Sequence, residues 1–288
     1  MRKRLTENAR KDFDEFVRTH PKSCLDYKGQ PLEYIACGQG THTLLMLPHI
    51  SRLFSVEMSY RHILAFERRF RVIAPSLIET TQLDDIADAL MSVLDKETSR
   101  PVILFGQSGS GITAQVFFRR HYRHVAGMIL VNTIAPARFF PKTPLSFFFK
   151  LLPAALLKYI ITRRLLSRLD TVNLPPDLIP QIQMSRALLC ESLKERFSKR
   201  ELTLDIHNVL QFNAEGFVDP GLLSAWRGRI LIVTSQDDAG YEGSKTLSEK
   251  LPNTHLLVFD KGYGHLAPLV KSREVNLAID QLMGTLHQ

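Results

Sequence analysis

The run Pro101-Val102-Ile103-Leu104-Phe105-Gly106-Gln107-Ser108-Gly109-Ser110-Gly111 constrains this chain more than any other part of it. Residues 102–105 are apolar without alternation, as a strand buried on both faces of a parallel sheet must be. The run stops at Gly106, and Ile112 to Arg120 reads as a helix. Small-x-Ser-x-small at a strand-to-helix turn holds a serine on a strained backbone, its hydroxyl exposed above the sheet. Gly106 and Ser110 are small enough to let strand and helix approach, and Ser108 projects from the turn. The amide of Gly109 then sits at the helix N-terminus, where a developing oxyanion is stabilised. Gln107 is a candidate lining residue beside the serine. Two other glycine-rich turns fit less well. No Lys-Ser/Thr follows Gly111, and the order G-x-x-G-x-G is not the G-x-G-x-x-G of a dinucleotide fingerprint.

The rest of the chain supplies the sheet that such a turn needs. Thr6 to Arg18 reads as an amphipathic helix, and Leu25–Tyr27 with Leu32–Cys37 as a hairpin. Strands follow at Leu44–Leu47 and Phe70–Ala74, with a helix predicted between them over Met58–Arg68. Leu83, Ile86, Leu90, Val93 and Leu94 recur at helical spacing before the central strand. After the serine turn come the strand Met128–Val131 and, much later, strands at Ile230–Val233 and Leu256–Phe259. Helices are expected around Ser244–Lys250 and over Ser272–Leu286. Strand and helix alternate, which predicts an α/β fold: an eight-stranded, mostly parallel sheet with helices on both faces.

The alternation breaks between residues 135 and 226, a helix-rich stretch with seven prolines up to Pro180 and no clear strand. It reads as a helical lid inserted after the sixth strand, dividing the sheet domain into residues 1–134 and 227–288. Its first part, Leu145 to Leu169, mixes Phe147, Phe148, Phe149 and many leucines with Lys150, Lys158, Arg163, Arg164 and Arg168. Three readings are open. These residues are core contacts of a cap with solvated charges, an apolar cover for an apolar substrate, or a surface that touches anionic membrane.

Composition excludes several classes. Cys24, Cys37 and Cys190 are odd in number and unpaired in spacing, so neither a disulfide framework nor a zinc site is implied, which fits a reducing, cytoplasmic compartment. The basic start Met1-Arg-Lys-Arg is not followed by the apolar stretch of a signal peptide, and no apolar run is long enough to span a bilayer. The formal charge of +8 is spread along the chain without a nucleic-acid motif, so a solvated basic surface is expected, with no nucleic-acid partner.

A serine hydroxyl needs a base, and the base an orienting carboxylate. Ser235-Gln236-Asp237-Asp238 directly follows one late strand, and Lys261-Gly262-Tyr263-Gly264-His265 follows the last. Both therefore emerge at the carboxyl edge of the sheet, where ligands and catalytic groups of open α/β sheets gather. His265 is the candidate base. Asp238 is favoured as its partner, with Asp237 the alternative or a binder of the turn backbone. His42, His49, His62, His207 and His255 show no ligand spacing, so no metal or other cofactor is expected.

The order Ser108, Asp238, His265, with Gly106-Gln107-Ser108-Gly109-Ser110 and Gly264-His265, resembles the α/β-hydrolase superfamily over nearly the whole chain. That resemblance implies Ser108 as nucleophile, His265 as general base and Asp238 as its partner. A narrower likeness, to the maspardin-like branch, is carried by Leu47-Pro48-His49-Ile50-Ser51, Arg71-Val72-Ile73-Ala74 and Ser272-Arg273-Glu274-Val275-Asn276-Leu277. Superfamily members typically carry His-Gly where this chain has Pro48-His49. By that match the amide of Ile50 or Ser51 completes the oxyanion hole with Gly109, and His49 is a further candidate donor.

The expectation is a serine hydrolase acting on an ester, thioester or related acyl bond of an apolar small molecule. The alternatives are a non-catalytic binding or adaptor protein on the same scaffold, and a lyase or cyclase that uses the same residues.

Overall fold

The computed structural model describes residues 2–136, 152–169 and 174–285. One sheet runs through it in the strand order β1-β2-β4-β3-β5-β6-β7-β8. The strands are β1 (Ser23–Tyr27), β2 (Gln30–Cys37), β3 (Thr43–Met46), β4 (Arg71–Pro75), β5 (Val102–Gln107), β6 (Val125–Val131), β7 (Arg229–Ser235) and β8 (Thr254–Phe259). Only β2 is antiparallel to its neighbours; every pairing from β4 to β8 is parallel. The predicted sheet is found, strand for strand.

Successive side chains of a strand point to opposite faces, and the core divides accordingly. Val102 and Leu104 pack on one side with Ile230 and Ile232, against α3 (Leu83–Glu97), α4 (Ser110–His121) and α9 (Tyr241–Lys250). Ile103 and Phe105 pack on the other with Leu231 and Val233, against α1 (Arg2–Thr19), α2 (Tyr60–Phe66) and α11 (Ser272–Thr285). Both faces are covered, so the central strands carry no polar face, and this is why their sequences run without alternation. The helix predicted over Met58–Arg68 is split: a 3-10 turn, Val56–Ser59, precedes α2.

Between β6 and β7 the described residues form helices alone: α5 (Ala154–Ser167), α6 (Ile179–Glu195), α7 (Lys199–Glu215) and α8 (Pro220–Ala225). The Phe147–Phe149 run and Lys150 lie outside the described residues. These helices lean on the loop that follows β3. Leu189 and Leu193 of α6 bury Leu53, and the Ser192 hydroxyl donates to the Leu53 carbonyl at 2.5 Å. Arg52 of the same loop pairs with Glu201 of α7 at 3.1 Å and with Glu79 at 2.7 Å. The insertion is thereby fastened directly above the carboxyl end of β3, beside the serine turn. No described helix is long and apolar enough to cross a membrane.

Candidate active site

β5 ends at Gln107, and Ser108 follows with φ +55, a left-handed conformation costly for any residue but glycine. The surroundings over-determine it. The Ser108 amide donates to the Val131 carbonyl at 2.8 Å, and its own carbonyl accepts from the Gly111 amide at 3.0 Å and the Thr133 hydroxyl at 3.2 Å. Gly111 is what lets α4 come this close: a Cβ there would stand 1.9 Å from the Thr133 hydroxyl oxygen. The side chain of Ser108 lines a cavity of about 240 Å³ beneath the inserted helices, with Gln107 beside it.

His265 lines the same cavity. It sits in a short 3-10 turn, Gly264–Leu266, directly before α10 (Ala267–Val270), and not on a free loop. Its Nδ1 lies 2.6 Å from Oδ2 of Asp238, so that nitrogen is the donor to the carboxylate and Nε2 is the one turned to other partners. The pair is sheltered, with side-chain exposures of 15% for His265 and 3% for Asp238. The other Asp238 oxygen accepts from the Gly240 amide at 2.7 Å, which fixes the carboxylate plane.

The adjacent acid does something else. Asp237 accepts from the amides of Gly262 at 2.8 Å and Gly264 at 3.1 Å, and from the Ser235 hydroxyl at 3.0 Å. Partial burial raises its pKa, but these hydrogen bonds outweigh that and hold it below its ordinary value. Asp238 thus faces the imidazole, and Asp237 braces the turn that carries it.

Asn132, which the sequence did not single out, adds a third tie: its Nδ2 donates to the His265 carbonyl at 2.9 Å. Its position directly after β6, at the carboxyl edge of a parallel sheet, was the available signal.

In the loop after β3, one of the two candidate amide donors is already engaged. The Thr113 hydroxyl ties it to α4 by donating to the Pro48 carbonyl at 2.9 Å. Ile50 is buried in the core. The amide of Ser51 does not stand free for an oxyanion, because it donates to Nδ1 of His49 at 3.0 Å. The His49 ring supplies the acceptor that captures this amide. His49 itself lies in the cavity wall, tilted on Phe54 with centroids 4.0 Å apart. Burial, reinforced by the positive charge of Arg168 and by His265, lowers its pKa to about 3, so the ring is neutral.

The remaining wall is mostly apolar: Met46, Phe54, Val56, Met58, Phe105 and, from the insertion, Leu165, Leu169 and Leu189. On the far side of His265 lies a second recess of about 320 Å³, lined by Asp237, Asp238, Tyr263 and Arg168. Arg168 and His265 belong to both walls.

A separate cluster lies at the opposite end of the sheet, where Cys37 pairs with Val72 near the start of β4. His20 Nε2 is 2.9 Å from a Glu67 oxygen, and Cys37 joins them within 4.8 Å. Burial, with the Glu67 charge adding, pushes the Cys37 thiol up to about 12. All three cysteines are free thiols.

No protein-family model matches the chain, and no curated protein matches it. Solved structures do. A thermophilic esterase from Thermogutta terrifontis is similar at TM-score 0.66 and 20% identity, over 93% of this chain and 100% of that one. Carboxylesterase CesB from Bacillus subtilis superposes at TM-score 0.61 with 18% identity, covering 97% and 98%. The enol-lactonase from Burkholderia xenovorans LB400 does so at TM-score 0.68 with 13% identity, covering 91% and 100%. At such identities the likeness establishes a shared fold over essentially the whole of each chain.

Proposed function

We propose, for a chain that has the α/β-hydrolase fold, the activity of a serine hydrolase that cleaves an ester, thioester or related acyl bond of an apolar small molecule. One observation carries the reading: the imidazole held by Asp238 at 2.6 Å opens into the same cavity as the hydroxyl of Ser108. That most of the similar solved structures described above are esterases supports the class of reaction.

The chemistry follows from these groups. Nε2 of His265 takes the Ser108 proton as the oxygen attacks the carbonyl carbon, and the carbonyl π pair moves onto its oxygen. Collapse of that intermediate expels the leaving group, which receives the proton from His265, and leaves an ester on Ser108. Water, deprotonated by the same nitrogen, then releases the acid. The apolar cavity suits the acyl chain. The polar recess shares Arg168 and His265 with that cavity.

A panel of p-nitrophenyl esters of increasing acyl length tests this reading. Turnover with an optimum at short to medium chains, lost in Ser108→Ala, supports it. A folded protein inert on every ester, thioester and lactone supports the alternative of a non-catalytic binding or adaptor protein on the same scaffold.

The outer face of α5 suggests where such a protein works. Leu156, Tyr159 and Ile160 are 43%, 57% and 46% exposed on one stripe that continues into Arg163 and Arg164, and α5 has no acidic residue. This pattern suits contact with an anionic membrane surface. Co-sedimentation with phosphatidylserine vesicles at low salt, abolished by Ile160→Glu, is the expected result; no sedimentation discards the contact.

A further inference from the structure

We infer that the oxyanion hole of this site is built from one main-chain donor, the Gly109 amide, and one side-chain donor, Nε2–H of His49. The inference rests on the serine-hydrolase reading and names the second donor that reading requires.

The argument begins with the tautomer. The Ser51 main-chain amide can only donate, so Nδ1 of His49, 3.0 Å away, must accept, and the ring proton of the neutral imidazole resides on Nε2. The ring is partly buried, which holds its pKa at about 3, so it carries no charge at working pH. That suits a donor to a developing anion. A neutral imidazole gives one directed hydrogen bond without the cost of keeping a cation out of water, and a preorganised dipole in a dry site is the form such stabilisation takes.

Position supplies the second half. A Cβ built on Gly109 would lie 2.2 Å from His49 Nε2, so that nitrogen stands less than about 4 Å from the Gly109 α-carbon. It therefore lies next to the amide that heads α4, on the wall of the cavity that also holds Ser108. Nε2 has no hydrogen-bond partner among the described residues, whereas the other ring nitrogen is satisfied. The ring is also held in orientation: the Ser51 amide fixes its plane, Phe54 supports one face, and the Thr113 hydroxyl pins the preceding carbonyl. The contact explains the residue at 109 as well. Any side chain there would displace the imidazole.

In the intermediate described above, the pair moved onto the carbonyl oxygen is then met by Gly109 N–H and His49 Nε2–H together. No proton is transferred from His49, which distinguishes its role from that of His265.

Four measurements on the full chain test this: kcat and KM for an ester substrate, the Ki of a trifluoromethyl ketone that forms a hemiketal oxyanion, the thermal midpoint, and the extent of Ser108 labelling by a fluorophosphonate. His49→Phe keeps the aromatic packing and removes the donor; His49→Gln keeps an N–H donor. The phenylalanine variant is expected to lose 10²- to 10³-fold in kcat with KM changed less than threefold. Its ketone Ki should rise by a similar factor, and Ser108 should still label to completion on long incubation. The glutamine variant should recover at least tenfold of the loss. Wild-type kcat and ketone affinity in a folded His49→Phe protein would overturn the role of His49 while leaving the serine reading intact. Equal losses in both variants at unchanged ketone Ki would reduce His49 to packing. A wild-type protein that neither turns over an ester nor labels would instead remove the reading on which the inference rests.

Discussion

The side chain of Asn132 reaches across the carboxyl edge of the sheet and donates to the main-chain carbonyl of His265 at 2.9 Å. Asn132 has φ +46, and its own amide is held by the Val233 carbonyl at 2.8 Å. The end of β6 is thus locked to β7, and the imidazole turn is hung from it. Ser235 at the end of β7 stands against the same turn, its single hydroxyl proton shared between the Asp237 carboxylate at 3.0 Å and the Gly264 carbonyl at 2.8 Å. Asn132→Ala should therefore loosen the imidazole without touching substrate. We expect kcat/KM to fall about 10- to 100-fold, the scale on which misplaced catalytic groups act. Asn132→Asp, which cannot donate, should do no better.

The two adjacent acids should separate cleanly by assay. Asp238→Asn leaves the imidazole with the wrong tautomer and should lower kcat by about 10⁴-fold with little effect on the fold. Asp237→Asn replaces one of the two carboxylate oxygens that accept separately from the Gly262 and Gly264 amides, and should show first in stability. Because Asp237 has a depressed folded pKa, its contribution is present above the ordinary carboxylate range and fades as pH falls through the depressed value. Denaturation of Asp237→Asn and wild type should thus converge in acid.

Asp205 on α7 predicts a pH dependence of opposite sign. Burial, with the nearby Glu201 charge adding, raises its pKa to about 7, against the Ser51 hydroxyl and Arg52. Between about pH 4 and 7 the unfolded chain releases this proton and the folded chain keeps it, so stability falls as pH rises through that window. Asp205→Asn should raise the unfolding free energy at pH 8 by on the order of a few kcal/mol at most, lifting the thermal midpoint with it, and leave both unchanged at pH 4. Parallel calorimetry at the two pH values checks this.

Gly111 offers a packing test that is independent of the chemistry. With Thr133 occupying the space of any Cβ, Gly111→Ala must push α4 off β6 or distort the serine turn. A loss of about 1–3 kcal/mol or more is expected, partly restored by Thr133→Ala in the same chain. A neutral Gly111→Ala would mean that the turn is not held as described.

Much of this was legible in the chain. The doubly buried strands announce themselves because Val102–Phe105 and Ile230–Val233 have no polar face to alternate with. The serine, the acid and the histidine follow from strand ends, since each lies within a few residues of one. What failed was what depends on approach between segments distant in sequence. Of the two amides read as oxyanion donors, Ile50 and Ser51, that of Ser51 is taken by His49, and nothing local shows that the ring two residues earlier folds back onto it. Asn132 reads as an ordinary turn residue until β7 and the His265 turn are placed beside it. The Met58–Arg68 helix was drawn in one piece because its apolar spacing continues through the 3-10 turn at its start.

The central claim is that Ser108 is a nucleophile activated by His265, and intact-mass analysis after treatment with a small fluorophosphonate tests it most directly. The account predicts one adduct per chain, mapped to Ser108, with labelling abolished by Ser108→Ala and slowed at least a hundredfold by His265→Ala. A folded wild-type chain that gains no mass, or one whose adduct maps elsewhere, would contradict it.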